Sequence, residues 1–217
     1  MRLRAFLVVA GIFSLLASSA AEAQYGRERW ELTPFVGYET SGSYPLHSQT
    51  IGVNVNDFRI NGAISYGTFL DFSLTSNAQA EFMWDRNPTS YSAQPLPGAP
   101  FFKAYDSTVD QYQFGLLYMF LGPGHKIRPY FAGSLGFTHE DNSGGNSTRT
   151  DFSYGLGGGV KYLLTQHIGL RGDARYMPTY ANSSLATYCD PFFGCYTAEV
   201  SNYQHRGNFV GGIVFRF

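Results

Sequence analysis

The sequence predicts an all-β protein: an eight-stranded antiparallel transmembrane β-barrel, an up-and-down meander with short periplasmic turns and long extracellular loops. Three observations lead there. Eight segments alternate between an apolar and a polar face, with the period of two that marks a strand. The connections between them are alternately short and long, as between the two ends of a membrane barrel. The first residues read as an export signal, and no later segment is long and apolar enough to span a bilayer as a helix.

In the export signal, Arg2 and Arg4 precede an apolar run at residues 5–17, and small residues follow to Ala21 and Ala23. Such a stretch is a removable signal peptide, so residues 1–23 are expected to be cleaved and residues 24–217 to form the barrel domain. The composition agrees: aromatic residues make up 17% of the chain, against 14% charged residues, with 25 Gly and two Cys. A net charge of −1 supplies no basic face for nucleic acid.

The first strand, 30–38, sets Trp30, Leu32, Pro34, Val36 and Tyr38 against Glu31, Thr33, Phe35 and Gly37. The second, 66–74, sets Leu70 and Phe72 against Phe69 and Asp71, and the third, 78–86, sets Phe82 and Trp84 against Glu81, Met83 and Asp85. The fourth, 110–121, is the cleanest, with Tyr112, Phe114, Leu116, Tyr118 and Phe120 on one side and Gln111 and Gln113 on the other. The fifth, 127–138, opposes Phe131, Leu135 and Phe137 to Tyr130, Ala132 and Ser134. In the sixth, 151–164, Phe152, Leu156, Val160 and Tyr162 face away from Ser153, Gly155, Gly157, Gly159 and Lys161. The seventh, 168–176, sets Ile168, Leu170 and Tyr176 against Arg171, Asp173 and Arg175. The eighth, 209–217, carries Phe209, Ile213, Phe215 and Phe217 outward and Arg216 inward, and is expected to close the barrel against the first.

Short turns are predicted at 75–77, 122–126 and 165–167, and long polar loops at 40–58, 87–108, 139–150 and 178–205. A soluble eight-stranded barrel would have the opposite polarity, apolar inside and polar outside. Here one face is too charged for a dry core, and the other is too aromatic for water. The environment expected for the outer face is therefore lipid, with aromatic girdles at its two edges.

Glu31-Leu-Thr-Pro-Phe-Val-Gly-Tyr38, Ile127-Arg-Pro-Tyr-Phe-Ala-Gly-Ser-Leu-Gly136, Gly157-Gly-Gly-Val-Lys-Tyr162, Ile168-Gly-Leu-Arg-Gly-Asp-Ala-Arg175 and Val214-Phe-Arg-Phe217 resemble the small outer-membrane β-barrel family related to the OmpA transmembrane domain and to OmpX. The resemblance covers residues 24–217. It implies location in the bacterial outer membrane, surrounded by outer-membrane lipid. It also implies that Phe209, Phe215 and Phe217 form the signal read by the outer-membrane β-barrel assembly machinery.

The strongest constellation is a set of inward charges, Asp71, Glu81 and Asp173 against Lys161, Arg171 and Arg175. An eight-stranded barrel is just wide enough for side chains to fill it. These groups are therefore expected to form an ion-pair network that plugs the lumen; the functional alternative is a narrow pore. Gly155, Gly157 and Gly159 leave one wall bare, either as closure kinks or as space for Tyr130, Met119 or Arg175. Cys189 and Cys195 share one external loop, and an exported chain permits a disulfide between them. The histidines, at 47, 125, 139, 167 and 205, fall in loops and turns. They match no nucleophile–base–carboxylate pattern, and no metal-ligand or phosphate-loop spacing appears.

The expectation is thus a monomeric, non-enzymatic barrel without a cofactor, with a role in adhesion or envelope integrity carried by its external loops. The alternatives are a small-solute or ion channel through the charged lumen, or an enzyme modifying envelope lipid or peptide. The loop aromatics Tyr44, Tyr91, Phe101, Phe102, Tyr105, Phe192 and Phe193 are candidates for stacking on carbohydrate, and the tip Pro191-Phe-Phe193 is a candidate contact for a partner or for lipid headgroups.

Overall fold

The computed structural model describes residues 29–41, 43–45, 57–94, 100–142, 148–180, 186–190, 194–198 and 203–217. The expected signal peptide, 1–23, lies outside the described residues.

Eight long strands build the wall: β1 (Trp30–Ser41), β4 (Ala63–Ser73), β5 (Ala78–Gln94), β6 (Phe102–Met119), β7 (Ile127–Asn142), β8 (Thr148–Leu163), β9 (Ile168–Tyr176) and β14 (Arg206–Arg216). Each pairs antiparallel with the next, and β14 pairs back onto β1, so the described sheet closes into a barrel. Closure removes the exposed edges that a membrane would leave unsatisfied. At the seam the Trp30 amide donates to the Phe217 carbonyl at 3.0 Å, and the Phe217 amide returns the bond at 2.9 Å. The β1–β14 pairing skips Thr33 and Pro34. Proline has no amide hydrogen to give to the ladder.

Two of the periplasmic turns share one chemistry. Thr75 Oγ1 accepts from the Asn77 and Ala78 amides at 3.3 and 3.0 Å, and Thr165 Oγ1 accepts from the His167 and Ile168 amides at 3.2 and 2.9 Å. A threonine hydroxyl that bonds its own following backbone fixes a tight turn.

The external end is where structure and sequence part. Residues 87–108 and 139–150 read as loops, yet β5 continues to Gln94, β6 begins at Phe102, β7 runs to Asn142 and β8 starts at Thr148. Short strands add to this rim: β2 (Ser43–Pro45), β3 (Asp57–Ile60), β10 (Thr179–Tyr180) and β13 (Tyr203–Gln204) join the barrel sheet, while β11 (Ala186–Asp190) and β12 (Gly194–Ala198) form a separate hairpin. The reason is solvent. Once the outward positions reach water they carry Arg86, Pro88 and Ser90 instead of aromatics, so the apolar alternation ends while the backbone ladder continues.

Outward side chains follow the aromatic expectation. On the external side a belt runs through Trp84, Tyr112, Phe137 and Phe152, which are successive register partners, and Tyr66 meets Trp84 edge-on at 6.4 Å. Within it, the Tyr112 and Phe137 rings stack at 5.1 Å. On the periplasmic side Trp30 packs on Phe72 at 4.8 Å, and Tyr118, Phe120, Phe215 and Phe217 stand exposed. Trp84 Nε1 and Arg86 both donate to Asp110, with the guanidinium held at 2.8 Å by both of its bonds. This pair marks where charge first appears on the outer wall.

Candidate functional site: the barrel lumen

Side chains fill the lumen in layers. The layer nearest the periplasm is ionic. Lys161 Nζ donates to Glu31 Oε2 at 2.5 Å, Asp71 Oδ2 at 2.6 Å and Gln79 Oε1 at 2.8 Å. Arg171 reaches Asp71 at 3.1 Å, Glu81 at 2.6 Å and Asp173 at 2.9 Å. Arg175 grips Glu81 with both terminal nitrogens, at 2.6 and 3.0 Å, and Asp173 with Nε at 2.8 Å. Forked contacts of this kind are the strongest that a guanidinium makes with a carboxylate.

The six charges singled out in the sequence therefore share one connected network, which includes other residues. Glu31 bridges Lys161 to Arg216, whose Nε donates to Glu31 Oε1 at 2.9 Å. The Tyr130 hydroxyl donates to Asp173 and accepts from Arg171 Nε at 2.8 Å. Counting Glu31 and Arg216, four carboxylates meet four cations in this network, and buried Arg128, opposite Lys161 in the register, adds a fifth cation that donates to the Leu121 and Ser76 carbonyls at 3.3 and 2.8 Å. Burying a charge is costly unless it is paired and hydrogen-bonded; these contacts meet that requirement.

The alternation places Glu31, Tyr130 and Arg216 on the inward face, outside the charge set singled out from sequence. The same alternation would have found the two charges. The wall formed by β6 and β7 beside this layer is apolar, built from Leu117, Met119, Tyr130 and Ala132. Gly157 and Gly159 are not empty space. A Cβ at Gly159 would lie 2.5 Å from the Tyr130 hydroxyl, and one at Gly157 would lie 2.7 Å from Arg175 Cγ.

Above the ionic layer sits an apolar plate of Phe35, Phe69, Met83 and Met177, all buried. The Arg171 guanidinium lies 3.7 Å from the centre of the Phe69 ring, a cation–π contact that ties the two layers together. Higher still is a second polar layer made of Glu39, Ser65, Asp85, Gln111, Arg206 and Asn208, all buried. Arg206 Nη1 donates to Glu39 Oε1 at 2.8 Å, Gln111 Nε2 to Glu39 Oε2 at 3.0 Å, and Asn208 Nδ2 to Asp85 Oδ2 at 2.5 Å. None of these six residues was among the sequence candidates, although Asp85 and Gln111 lie at inward positions of predicted strands.

Tyr91, grouped with the loop aromatics from sequence, belongs to β5 instead. It points inward, is 4% exposed, stacks on Tyr105 at 4.8 Å and donates to Glu140. His139 is likewise not a loop residue: it sits on β7 with its Nδ1 2.8 Å from Thr150 Oγ1, while His205 joins β13 to β14 and stacks on Tyr176 at 5.9 Å. Cys189 and Cys195 are directly opposite in the β11–β12 register. Among the described residues, no three His, Cys, Asp or Glu side chains are grouped to hold a metal ion.

A closed barrel with a charged interior, an aromatic outer wall and short turns at one end defines a membrane protein class, and the family comparison matches it. The model of the outer membrane protein beta-barrel domain matches residues 7–209. The chain belongs to that family. Its place is the bacterial outer membrane, surrounded by lipid.

Solved structures of the same fold include Neisserial surface protein A, with 14% identity, 87% of this chain and 97% of that one covered, and a TM-score of 0.56. The outer membrane protein OprG from Pseudomonas aeruginosa shares 13% identity over 88% of this chain and 98% of its own, at a TM-score of 0.60. The outer membrane protein AlkL, determined in lipid bilayers, shares 10% identity over 89% and 93%, at 0.54. No curated protein matches the sequence. At these identities the likeness shows fold alone.

Proposed function

We infer that this family member is a non-conducting, non-enzymatic, monomeric barrel that holds its external rim rigidly at the cell surface, where that rim contacts a partner or other envelope components. The observation that carries this reading is the filled lumen. A network of buried ion pairs through Lys161, Arg171 and Arg175 lies directly beneath a plate of Phe35, Phe69, Met83 and Met177. An ion moving through would have to break several buried pairs and then cross an apolar layer, and both steps are costly.

The rim supports the second half of the reading. Strands prolonged beyond the aromatic belt present Phe101 and Phe102 at 43% and 42% exposure, together with Tyr180 and Tyr203. Exposed aromatics at the tip of a rigid scaffold are suited to a contact surface. A bridge between Cys189 and Cys195, opposite one another in the hairpin, would lock part of the same rim. The described histidines support a non-enzymatic reading, since His125, His139, His167 and His205 are dispersed between the periplasmic turns and the external outer wall. Phe209, Phe215 and Phe217 face outward on the seam strand, where the assembly machinery would read them.

A planar-bilayer recording of the purified protein tests the lumen reading: no conductance steps are expected, and reproducible unitary steps would overturn it. A whole-cell adhesion assay tests the rim. Replacing Phe101 and Phe102 by serine should lower adhesion while surface abundance stays constant, and unchanged adhesion would refute a contact role for these rings.

A further inference from the structure

The second polar layer has a construction that plugging does not require. Asp85 and Gln111 are directly opposite on β5 and β6, and Glu39 and Asn208 are directly opposite on β1 and β14. The two pairs face each other across the lumen and exchange bonds: Gln111 donates to Glu39, and Asn208 donates to Asp85. Each amide therefore gives its nitrogen to a carboxylate. Because an amide has its oxygen opposite its nitrogen, both orientations are fixed, and turning either group over would set oxygen against oxygen.

This arrangement leaves a surplus of acceptors. Asp85 Oδ1, Gln111 Oε1 and Asn208 Oδ1 are buried acceptors with no hydrogen-bond partner, and the Ser65 hydroxyl stands beside Asp85 with its lone pairs free. The exposures are 0% for Asp85, Gln111 and Ser65 and 4% for Asn208. Charge is also out of balance, since Glu39 and Asp85 carry two negative charges against the one positive charge of Arg206. The cations below are engaged elsewhere: Lys161, Arg171 and Arg175 bond the lower carboxylates, and Arg128 bonds the Leu121 and Ser76 carbonyls at the periplasmic end. Arg175, opposite Asn208 in the register, is turned to Glu81 and Asp173.

We propose that the layer formed by Asp85, Gln111, Asn208 and Ser65 is a binding site for a single monovalent alkali cation of sodium size. The ligand chemistry follows from the atoms. Carboxylate, amide-carbonyl and hydroxyl oxygens are hard donors, which suit alkali and alkaline-earth ions rather than soft metals. One missing positive charge selects a monovalent ion over calcium or magnesium. The bound ion would neutralise Asp85 and satisfy the amide oxygens together, so binding should stabilise the folded barrel by an amount that grows ever more slowly as ligand concentration rises.

The test is thermal unfolding of the folded full-length barrel in detergent, followed by the fluorescence of Trp30 and Trp84. Sodium, potassium, choline and magnesium chlorides are compared at equal ionic strength. The midpoint should rise saturably with sodium, less with potassium, and show no specific rise with choline. Asp85→Asn, which keeps shape and removes one charge, should abolish the difference between sodium and choline. Ser65→Ala, which removes one ligand oxygen, should require more sodium for the same shift. Equal midpoints in all four salts would overturn the proposal on the wild-type protein alone. So would a preference for magnesium, or a midpoint that follows pH with no difference between salts, which would assign the missing charge to a proton on Asp85.

Discussion

The periplasmic and external halves of the lumen use the same residue types to different ends. Below the phenylalanine plate, four carboxylates meet four cations, with Lys161 and Arg171 each bonding more than one acid. Above it, two carboxylates share one arginine, and amides take the place of the missing cations. In the lower network every charge has a partner. In the upper half buried acceptors are left without donors. A barrel interior can therefore be bridged throughout by side chains and still carry a specific electrostatic demand, because sterics and charge are satisfied by different atoms.

The largest effect is expected in the lower half. Arg171→Met would leave Asp71, Glu81 and Asp173 short of a shared cation, and breaking a buried network in this way should cost about 3 to 5 kcal/mol in urea unfolding from lipid vesicles. A cost below 1 kcal/mol would mean that the network is hydrated rather than dry. On the outer wall, which serves both halves equally, Leu116→Arg should cost about 2 to 4 kcal/mol near the bilayer midplane. If a leucine at Gln113, three residues away on the inward face, destabilised the fold as much as that arginine, the assignment of faces would be wrong.

The upper half should respond more mildly. Glu39→Gln keeps an oxygen for Arg206 and relieves the repulsion with Asp85, so its cost should be on the order of 1 kcal/mol. A loss equal to that of Arg171→Met would erase the contrast between the halves. Smallest of all is Arg86→Ala on the external rim, where the pair with Asp110 is half-exposed and should contribute no more than about 1 kcal/mol. Adding salt should narrow that difference while leaving the Arg171→Met penalty nearly unchanged, since screening reaches exposed pairs first. Separately, deleting Phe217 should impair assembly in cells more than refolding in detergent. Equal loss in both assays would leave only its backbone role at the seam.

Much of this was readable along the chain. Alternation alone placed Lys161, Arg171, Asp173 and Arg175 inside and Leu116, Phe114 and Phe215 outside, because a strand has two faces and a membrane barrel gives each a single solvent. The same rule reached Glu31, Asp85 and Gln111 as inward positions without marking them as a site. The external ends of β5 to β8 were illegible for a related reason: with water on the outer face, nothing in the side-chain pattern distinguishes a continuing strand from a loop.

The sequence by itself determined the strand pattern, the barrel, its orientation to lipid and the sign of each buried charge, since all of these follow from local periodicity and solvent preference. Only the tertiary structure decided which charges meet. Lys161 finds Asp71 at 2.6 Å and Gln111 finds Glu39 at 3.0 Å across separations of 90 and 72 residues. Such partnerships depend on strand register and on the width of a closed interior, and no local pattern encodes either quantity.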